Sequence, residues 1–271
     1  MLTSACIAVY HRIDQLMILP LLGDEQLGLY SAAVRLAELP GIIPAALMVS
    51  VYPLLSRRFK EDREGSFVRT YNLAFKYLLA LIVPVSWFVT VFSEQLVRGA
   101  SSVGLLNGEY IPMHSTLAVL LWAEVFVFTG LVSFHILVAA GQQKLDLLIV
   151  LPAAVLNLVL NLILIPRWGI IGAAATTCIS QLSGALVEYL IPATRSYVRG
   201  MIRNFKWPFL AGLVGLVPAL IIAGTGGRLS SIALLWYGPL YALLYLGSMV
   251  ASGWLTKEDW YLLRRALARG E

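Results

Sequence analysis

The chain is short of charge. Asp, Glu, Lys and Arg make up 13% of its 271 residues, roughly half the share of a soluble domain of this size. It is also short of cysteine, with two, and of histidine, with three. The first shortage excludes a water-soluble globule. With 59% apolar residues and a mean hydropathy of +0.80, too few polar groups exist to cover an aqueous surface, so the bilayer is the solvent. The second excludes a disulfide scaffold and a thiolate metal centre. Cys6 and Cys178 sit in apolar segments without CxxC spacing and read as small hydrophobes. The third excludes histidine-based chemistry, because His11, His114 and His135 are scattered and no HExxH pattern occurs. A P-loop is absent, as is a GxGxxG opening a helix after a strand. The longest external segment, about 94–112, is too short for a catalytic domain. The expectation is a protein that is not an enzyme and has no cofactor and no metal.

What the chain does have is long hydrophobic runs. Stretches able to span ~30 Å of hydrocarbon recur eight times, at about 2–22, 27–56, 70–93, 113–140, 146–165, 168–194, 207–224 and 231–254. The joints carry turn chemistry: GDEQ at 23–26, GQQKLD at 141–146, PRWG at 166–169 and GTGGR at 224–228. Ten-residue segments of alternating polarity, the mark of a membrane β-barrel, are missing. The fold class is an all-α integral membrane protein of about eight transmembrane helices. The N-terminal MLTSACIAV lacks a basic n-region and a small-residue cleavage site, so it reads as a membrane helix rather than a signal peptide.

Lysine and arginine orient the bundle. Fourteen of the twenty lie in one alternate set of loops: five within 57–69, Lys144, four within 195–206 and four after 255. The opposite set holds Arg98, Arg167 and Arg228, and the remaining Arg12, Arg35 and Lys76 fall within helices. Both termini are therefore expected in the cytoplasm. The formal charge of +5 is a topology signal, so nucleic acid is not expected as a partner. The tail TKEDWYLLRRALARGE starts with Thr256 three residues before Asp259, a capping-box-like spacing. Trp260, Leu263 and Leu267 share one face, and a short amphipathic helix on the anionic cytoplasmic leaflet is expected over 256–271.

The costly residues sit near the start, in YHRIDQLMILPLL at 10–22. A mid-bilayer charge costs about 2.5–3.5 kcal/mol and an apolar residue returns about 0.3–0.6. Arg12 and Asp14 together outweigh the ten Leu, Ile, Val and Met between 2 and 22, by about 6 kcal/mol against 5. They need partners or water within the protein. Two residues apart on a helix, they point ~200° from each other and cannot pair. His11, Asp14 and Gln15 form one polar stripe, and Arg12 looks elsewhere, to Glu38 or Glu124. Arg35 and Glu38 can pair at i+3, and Glu188 lies close enough to a membrane surface to snorkel. These charges form either a buried ion-pair network or the lining of a hydrated cavity that takes a charged substrate or coupling ion. Asn157 and Asn161, one turn apart, read as interhelical glue, and Gly169, Gly172 and Ala173 to Ala175 as a close-contact face. Pro40, Pro44 and Pro84 interrupt helices and are candidate hinges.

Several stretches, in order, resemble the C-terminal half of bacterial polysaccharide flippases of the multidrug/oligosaccharidyl-lipid/polysaccharide superfamily. They are RIDQLMI, GLYSAAVRLAELPGIIPAAL, VYPLLSR, LLNGEYIPM and LVAAGQQKLDLLIVLPAAVLNLVLNLILIPRWGIIGAAATTCISQ. The resemblance implies one lobe of a MATE-like transporter over 1–200, an additional helix pair over 201–255 and a cytoplasmic tail over 256–271. Family members have two lobes around a cavity that opens alternately to each side, and they move an oligosaccharide on undecaprenyl pyrophosphate between leaflets. By that resemblance the chain is a multi-pass protein of the bacterial cytoplasmic (inner) membrane, with membrane lipids and a lipid-linked oligosaccharide as partners. Arg12, and less directly Arg35, would bind the pyrophosphate, with Asp14 a proton or sodium partner. The first lobe of the family is missing. A fragment is expected; half of a split gene and a homodimer are the alternatives. A drug or metabolite exporter of the same fold, and a scaffold or remnant bound to polysaccharide assembly proteins, are the alternative functions.

Overall fold

The computed structural model describes residues 12–224, 231–256 and 259. Among them run eight α-helices: α1 Ile13–Leu22, α2 Asp24–Glu38, α3 Ile42–Glu61, α4 Ser66–Ser102, α5 His114–Ala139, α6 Lys144–Leu190, α7 Arg195–Gly224 and α8 Ser231–Ala251. No strand occurs among the described residues. His11 and the tail helix expected beyond Thr256 lie outside them, apart from Asp259. The core is apolar and central, built around α4 and α5 by Phe75, Ile82, Phe128, Val132 and Ile136. Leucines and valines on the outer faces of α1, α3 and α6 stay exposed, for example Leu16, Val49 and Leu162. Exposed apolar side chains at this density are stable only against lipid.

One expected boundary is moved by local chemistry and another is kept. The run 27–56 is not one helix: Pro40 sits in a 3₁₀ turn, Leu39–Gly41, that joins α2 to α3. Pro40 has no N–H to continue the ladder, and the following Gly41 adds no side chain to stiffen it. The turn expected between 146–165 and 168–194 is present: the 47 residues of α6, ending at Leu190, are two helical arms that fold back on each other. A straight helix of that length would be ~70 Å long, over twice the hydrocarbon core. Gly169 breaks it at φ 60°, ψ −142°, a conformation that glycine adopts without a Cβ penalty. A Cβ on Gly172 would collide with the Leu164 carbonyl, and one on Gly184 would touch Ile149 and Ala153. The two halves are thus antiparallel, and α6 is a helical hairpin reversing at the PRWG turn.

α7 and α8 pack along α4, and tyrosines secure them. Pro84 cannot donate to the carbonyl of Ala80, and the Tyr245 hydroxyl donates to that oxygen at 2.9 Å. Tyr241 donates to the Pro84 carbonyl at 2.9 Å. Beside Pro218, the Tyr237 hydroxyl accepts from the Ala219 N–H and donates to the Gly215 carbonyl. One tyrosine per turn of α8 therefore bonds backbone groups beside the prolines of α4 and α7, and Tyr245 supplies the donor that Pro84 lacks, as lipid cannot.

The basic segments converge at one end. Asn204 of α7 reaches Asn72 of α4 at 3.5 Å, and Arg69, Lys76 and Arg203 border one recess there. Lys76 forms an ion pair with Asp259 at 2.6 Å. Asp259 also accepts from the Thr256 N–H and hydroxyl and from Tyr77, so the acid half of the expected capping box forms, while the Asp259 N–H bonds the Thr256 carbonyl instead of its hydroxyl. At the α3–α4 turn, the Gly65 and Ser66 N–H groups donate to the Asp62 carboxylate and hold it below the usual carboxylate range.

Candidate functional site

Asp14 is the deepest of the early charges, 6% exposed. Three helices besides its own converge on it, counting the two arms of α6 separately. Tyr30 of α2 donates its hydroxyl at 2.9 Å. Asn161, on the first arm of α6, donates its amide at 2.5 Å and also donates to Asn157 Oδ1 at 3.0 Å. Thr177, on the second arm, places its hydroxyl 2.6 Å from the carboxylate and 3.1 Å from the Ala173 carbonyl. That hydroxyl has one proton, so it serves only one of the two at a time.

Each of these donors to Asp14 is neutral. The Asp14 oxygens, Asn157 Oδ1, Asn161 Oδ1, Thr177 Oγ1 and the Ala173 carbonyl bring acceptors together where no cationic side chain is seated among the described residues. Asn161 Oδ1 has no hydrogen-bond partner among the described residues although it is buried, and the same holds for Thr176 Oγ1 and Ser180 Oγ nearby on α6. A buried oxygen left unpaired costs about 1–3 kcal/mol, and oxygen clusters of this kind are the chemistry that coordinates hard cations.

Next to the cluster lies a cavity of about 50 Å³, room for a few water molecules. Asp14, Gln15, Glu38 and Glu124 all line it. The expected stripe of Asp14 and Gln15 is therefore real within the described residues, and Glu38 and Glu124 share its space. The arginines do not. Arg12 and Arg35 are exposed, and Arg12 hydrogen-bonds Gln15 at 3.3 Å. Among the described residues no ion pair links Arg12 or Arg35 to Glu38 or Glu124. The buried four-charge network weighed as one reading is not what holds α1 to α2. Neutral hydrogen bonds to Asp14 do that.

The remaining expected residues fall in separate places. Pro40 occupies the α2–α3 turn, Pro44 is buried at the start of α3, and Pro84 lies mid-way along α4. Glu188, expected to reach outward, is 6% exposed; its position near the end of α6 faces the helix pack, so burial overrides snorkelling. Sequence reasoning took Asn157 and Asn161 for glue between helices and passed over Tyr30 and Thr177. Each partner is 16 to 163 residues from Asp14, and neither tyrosine nor threonine stands out in an apolar helix.

A family profile described as MatE matches residues 1–163. The chain is 24% identical over 176 residues to a probable low-salt glycan biosynthesis flippase, Agl15, of Haloferax volcanii, a stretch covering 63% of this chain and 35% of that protein. It is 27% identical over 176 residues to a putative O-antigen transporter of Shigella flexneri, covering 64% and 40%. In structure it matches the lipid II flippase MurJ in an inward closed conformation, with a TM-score of 0.69 and 18% identity, over 90% of this chain and 51% of MurJ. The chain thus spans between a third and a half of the length of the curated relatives it matches. MurJ and this bundle share the fold expected of one lobe of a MATE-like transporter. With more than half its length matched by that profile, the chain belongs to the MatE family.

Proposed function

We propose that the chain is the C-terminal lobe of a flippase, which moves an oligosaccharide on undecaprenyl pyrophosphate across the bacterial cytoplasmic membrane for cell-surface polysaccharide synthesis. A second lobe would complete the cavity, since alternating access needs two bodies rocking against each other. The basic end, with both termini, would face the cytoplasm. Arg12 and Arg35, exposed on the two helices that hold Asp14, would receive the pyrophosphate, for which guanidinium forks are suited. The turn at Pro40 and the buried Pro44 would let α2 swing on α3, and Pro84 would set the bend of α4.

The observation that carries the coupling is the Asp14 cluster: a buried carboxylate with neutral donors only, beside an unpartnered Asn161 oxygen. In the bare state Tyr30, Asn161 and Thr177 stabilise the charge. A monovalent cation such as sodium would take the same oxygens, with the Thr177 hydroxyl turning its proton to the Ala173 carbonyl. Binding would draw α1, α2 and the two arms of α6 together. A ligand shifts a conformational equilibrium only by its differential affinity for the two states, and a site spanning three elements has that property. Glu38 would keep the approach cavity negative.

Thermal unfolding of the purified chain in sodium chloride against choline chloride tests the coupling. Sodium should raise the midpoint in the native chain and do nothing in Asp14→Asn. A shift that persists in that variant sinks the cation site. For flipping, Arg12→Ala and Arg12→Lys are placed in the complete transporter, and surface polysaccharide is measured at normal expression. Loss with Ala and partial retention with Lys is expected; no change in either removes Arg12 from the path.

A further inference from the structure

α7 carries two arginines that the proposed flipping path does not use. Arg199 and Arg203 are four residues apart on it and so share a face. Both are exposed, and among the described residues no ion pair or hydrogen bond holds either. Both line a groove of about 630 Å³ that runs between α7 and the second arm of α6. Its floor is apolar and buried, with Leu79 of α4 and Val125 of α5. Its rim is apolar and open: Leu182 and Leu186 of α6 are 42% and 57% exposed, and Ile202 of α7 is 54% exposed. None of the lining residues is an aspartate or glutamate. Past Arg203 the outer face of α7 turns to Trp207, Leu210, Val214 and Val217, all exposed. The Lys206 ammonium lies 5.4 Å from the centre of the Trp207 ring, and tryptophan favours the membrane–water interface. The arginines therefore sit where the lipid-facing surface of α7 begins.

The two parts of this lining ask for different things. Open hydrocarbon surface at membrane depth is covered by an acyl chain. A chain that leaves lipid for the groove gains fit rather than hydrophobic drive, so the apolar rim alone selects little. The arginines select, because guanidinium forks grip a phosphate. A zwitterionic lipid would bring its own ammonium against them, and like charges repel. A soluble anion would leave the rim uncovered. Basic pockets between membrane helices suit anionic headgroups. We infer that this groove binds an anionic glycerophospholipid, with one acyl chain against Leu182, Leu186 and Ile202 and the phosphate at Arg199 and Arg203. Arg203 also borders the recess that holds Asn72 and Asn204, whose amides are suited to the hydroxyls of a glycerol headgroup. Neither Asp14 nor Arg12 lines the groove, so the site does not depend on flipping.

Native mass spectrometry of the full chain in neutral detergent tests this with phosphatidylglycerol and with phosphatidylcholine of the same acyl chains. One phosphatidylglycerol should bind saturably, at least tenfold tighter than phosphatidylcholine. Arg199→Gln and Arg203→Gln together should erase that preference, and each alone should lower it about threefold. Both side chains are exposed, so these changes spare the fold. Ala185 is half-buried and lines the groove; Ala185→Phe should fill it and weaken both lipids at least tenfold. The arginine variants decide alone if Ala185→Phe does not fold. Equal binding of phosphatidylcholine, a preference that survives the double variant, or binding unchanged in a folded Ala185→Phe overturns the inference. Displacement by inorganic phosphate, or by equimolar undecaprenyl phosphate, also overturns it, since a soluble anion or the carrier lipid would then be the occupant. Asp14→Asn should leave the lipid in place while the sodium response disappears, so the two sites fail or stand separately.

Discussion

Asp14 and Asp259 are both almost fully buried, 6% and 3% exposed, and they are opposite in kind. Asp259 has a cation: Lys76 touches it at 2.6 Å while lying 4.6 Å from the centre of the Trp254 ring, and Tyr77 and Thr256 complete its shell. Asp14 has hydrogen bonds but no charge partner among the described residues, and Asn161, one of its donors, carries an unpaired buried Oδ1. The first is closed and fastens the end of the chain to α4. The second is open and sits where three elements meet. A buried charge whose counter-ion is built in is structural; on the proposed coupling role, Asp14 would take its counter-ion from outside the chain. The same contrast separates the tyrosine-braced α4–α7–α8 pack from the proline-broken α2–α3 unit.

Removing the built-in cation should have the largest effect. Lys76→Met leaves Asp259 buried and unpaired, a loss of about 3–5 kcal/mol, measurable as a lower thermal midpoint in detergent. Lys76→Met with Asp259→Leu should recover much of it, because an apolar pair replaces an ion pair at little net cost. A double variant as unstable as the single one would show that the pair is not what fastens this end.

At Asp14 the sign should reverse. Asp14→Asn removes a charge without a counter-ion, so the sodium-free protein should unfold at the same temperature or higher, while its response to sodium disappears. Asp259→Asn should lower the midpoint in either salt. If both variants destabilise equally, the distinction between open and closed carboxylates is lost.

The tyrosine brace gives a smaller effect. Tyr245→Phe strips the Ala80 carbonyl of its donor and should cost about 1 kcal/mol. In a Pro84→Ala background the helix supplies its own N–H, so the same change should cost less. Equal costs in the two backgrounds, in a double-mutant cycle, would mean the hydroxyl does not substitute for the missing proline donor.

Acid should give the smallest effect. Burial alone would raise the Asp259 carboxyl, but hydrogen bonds from Lys76, Thr256 and Tyr77 outweigh it and hold it at about 2. That lies below the ordinary value of ~3.9, so the stabilisation is whole above pH ~4 and fades as the pH falls to about 2. Midpoints followed through that range should drop more in the native chain than in Asp259→Asn.

Much of the fold is legible in the amino acids because lipid imposes a simple rule. Each crossing needs an apolar run of known length, and PRWG and GDEQ mark turns in any context. The hairpin at Gly169 and the Thr256–Asp259 spacing could be read locally. The site was half legible. Asp14 announces itself as a charge in oil, and Glu38 and Glu124 as others, but nothing in the order of residues says that Tyr30, Asn161 and Thr177 meet it. Arg12 looked equally costly and is exposed instead, because two residues along a helix is more than half a turn and only one of the pair can face the core.

By itself the sequence determined the solvent, the helical class and the alternation of basic loops, since these depend on composition and on spacing along the chain. Only the tertiary structure decided which buried carboxylate holds a lysine and which holds none. Charge compensation acts across a few ångströms of space, and the partners that supply or withhold it lie up to 183 residues away.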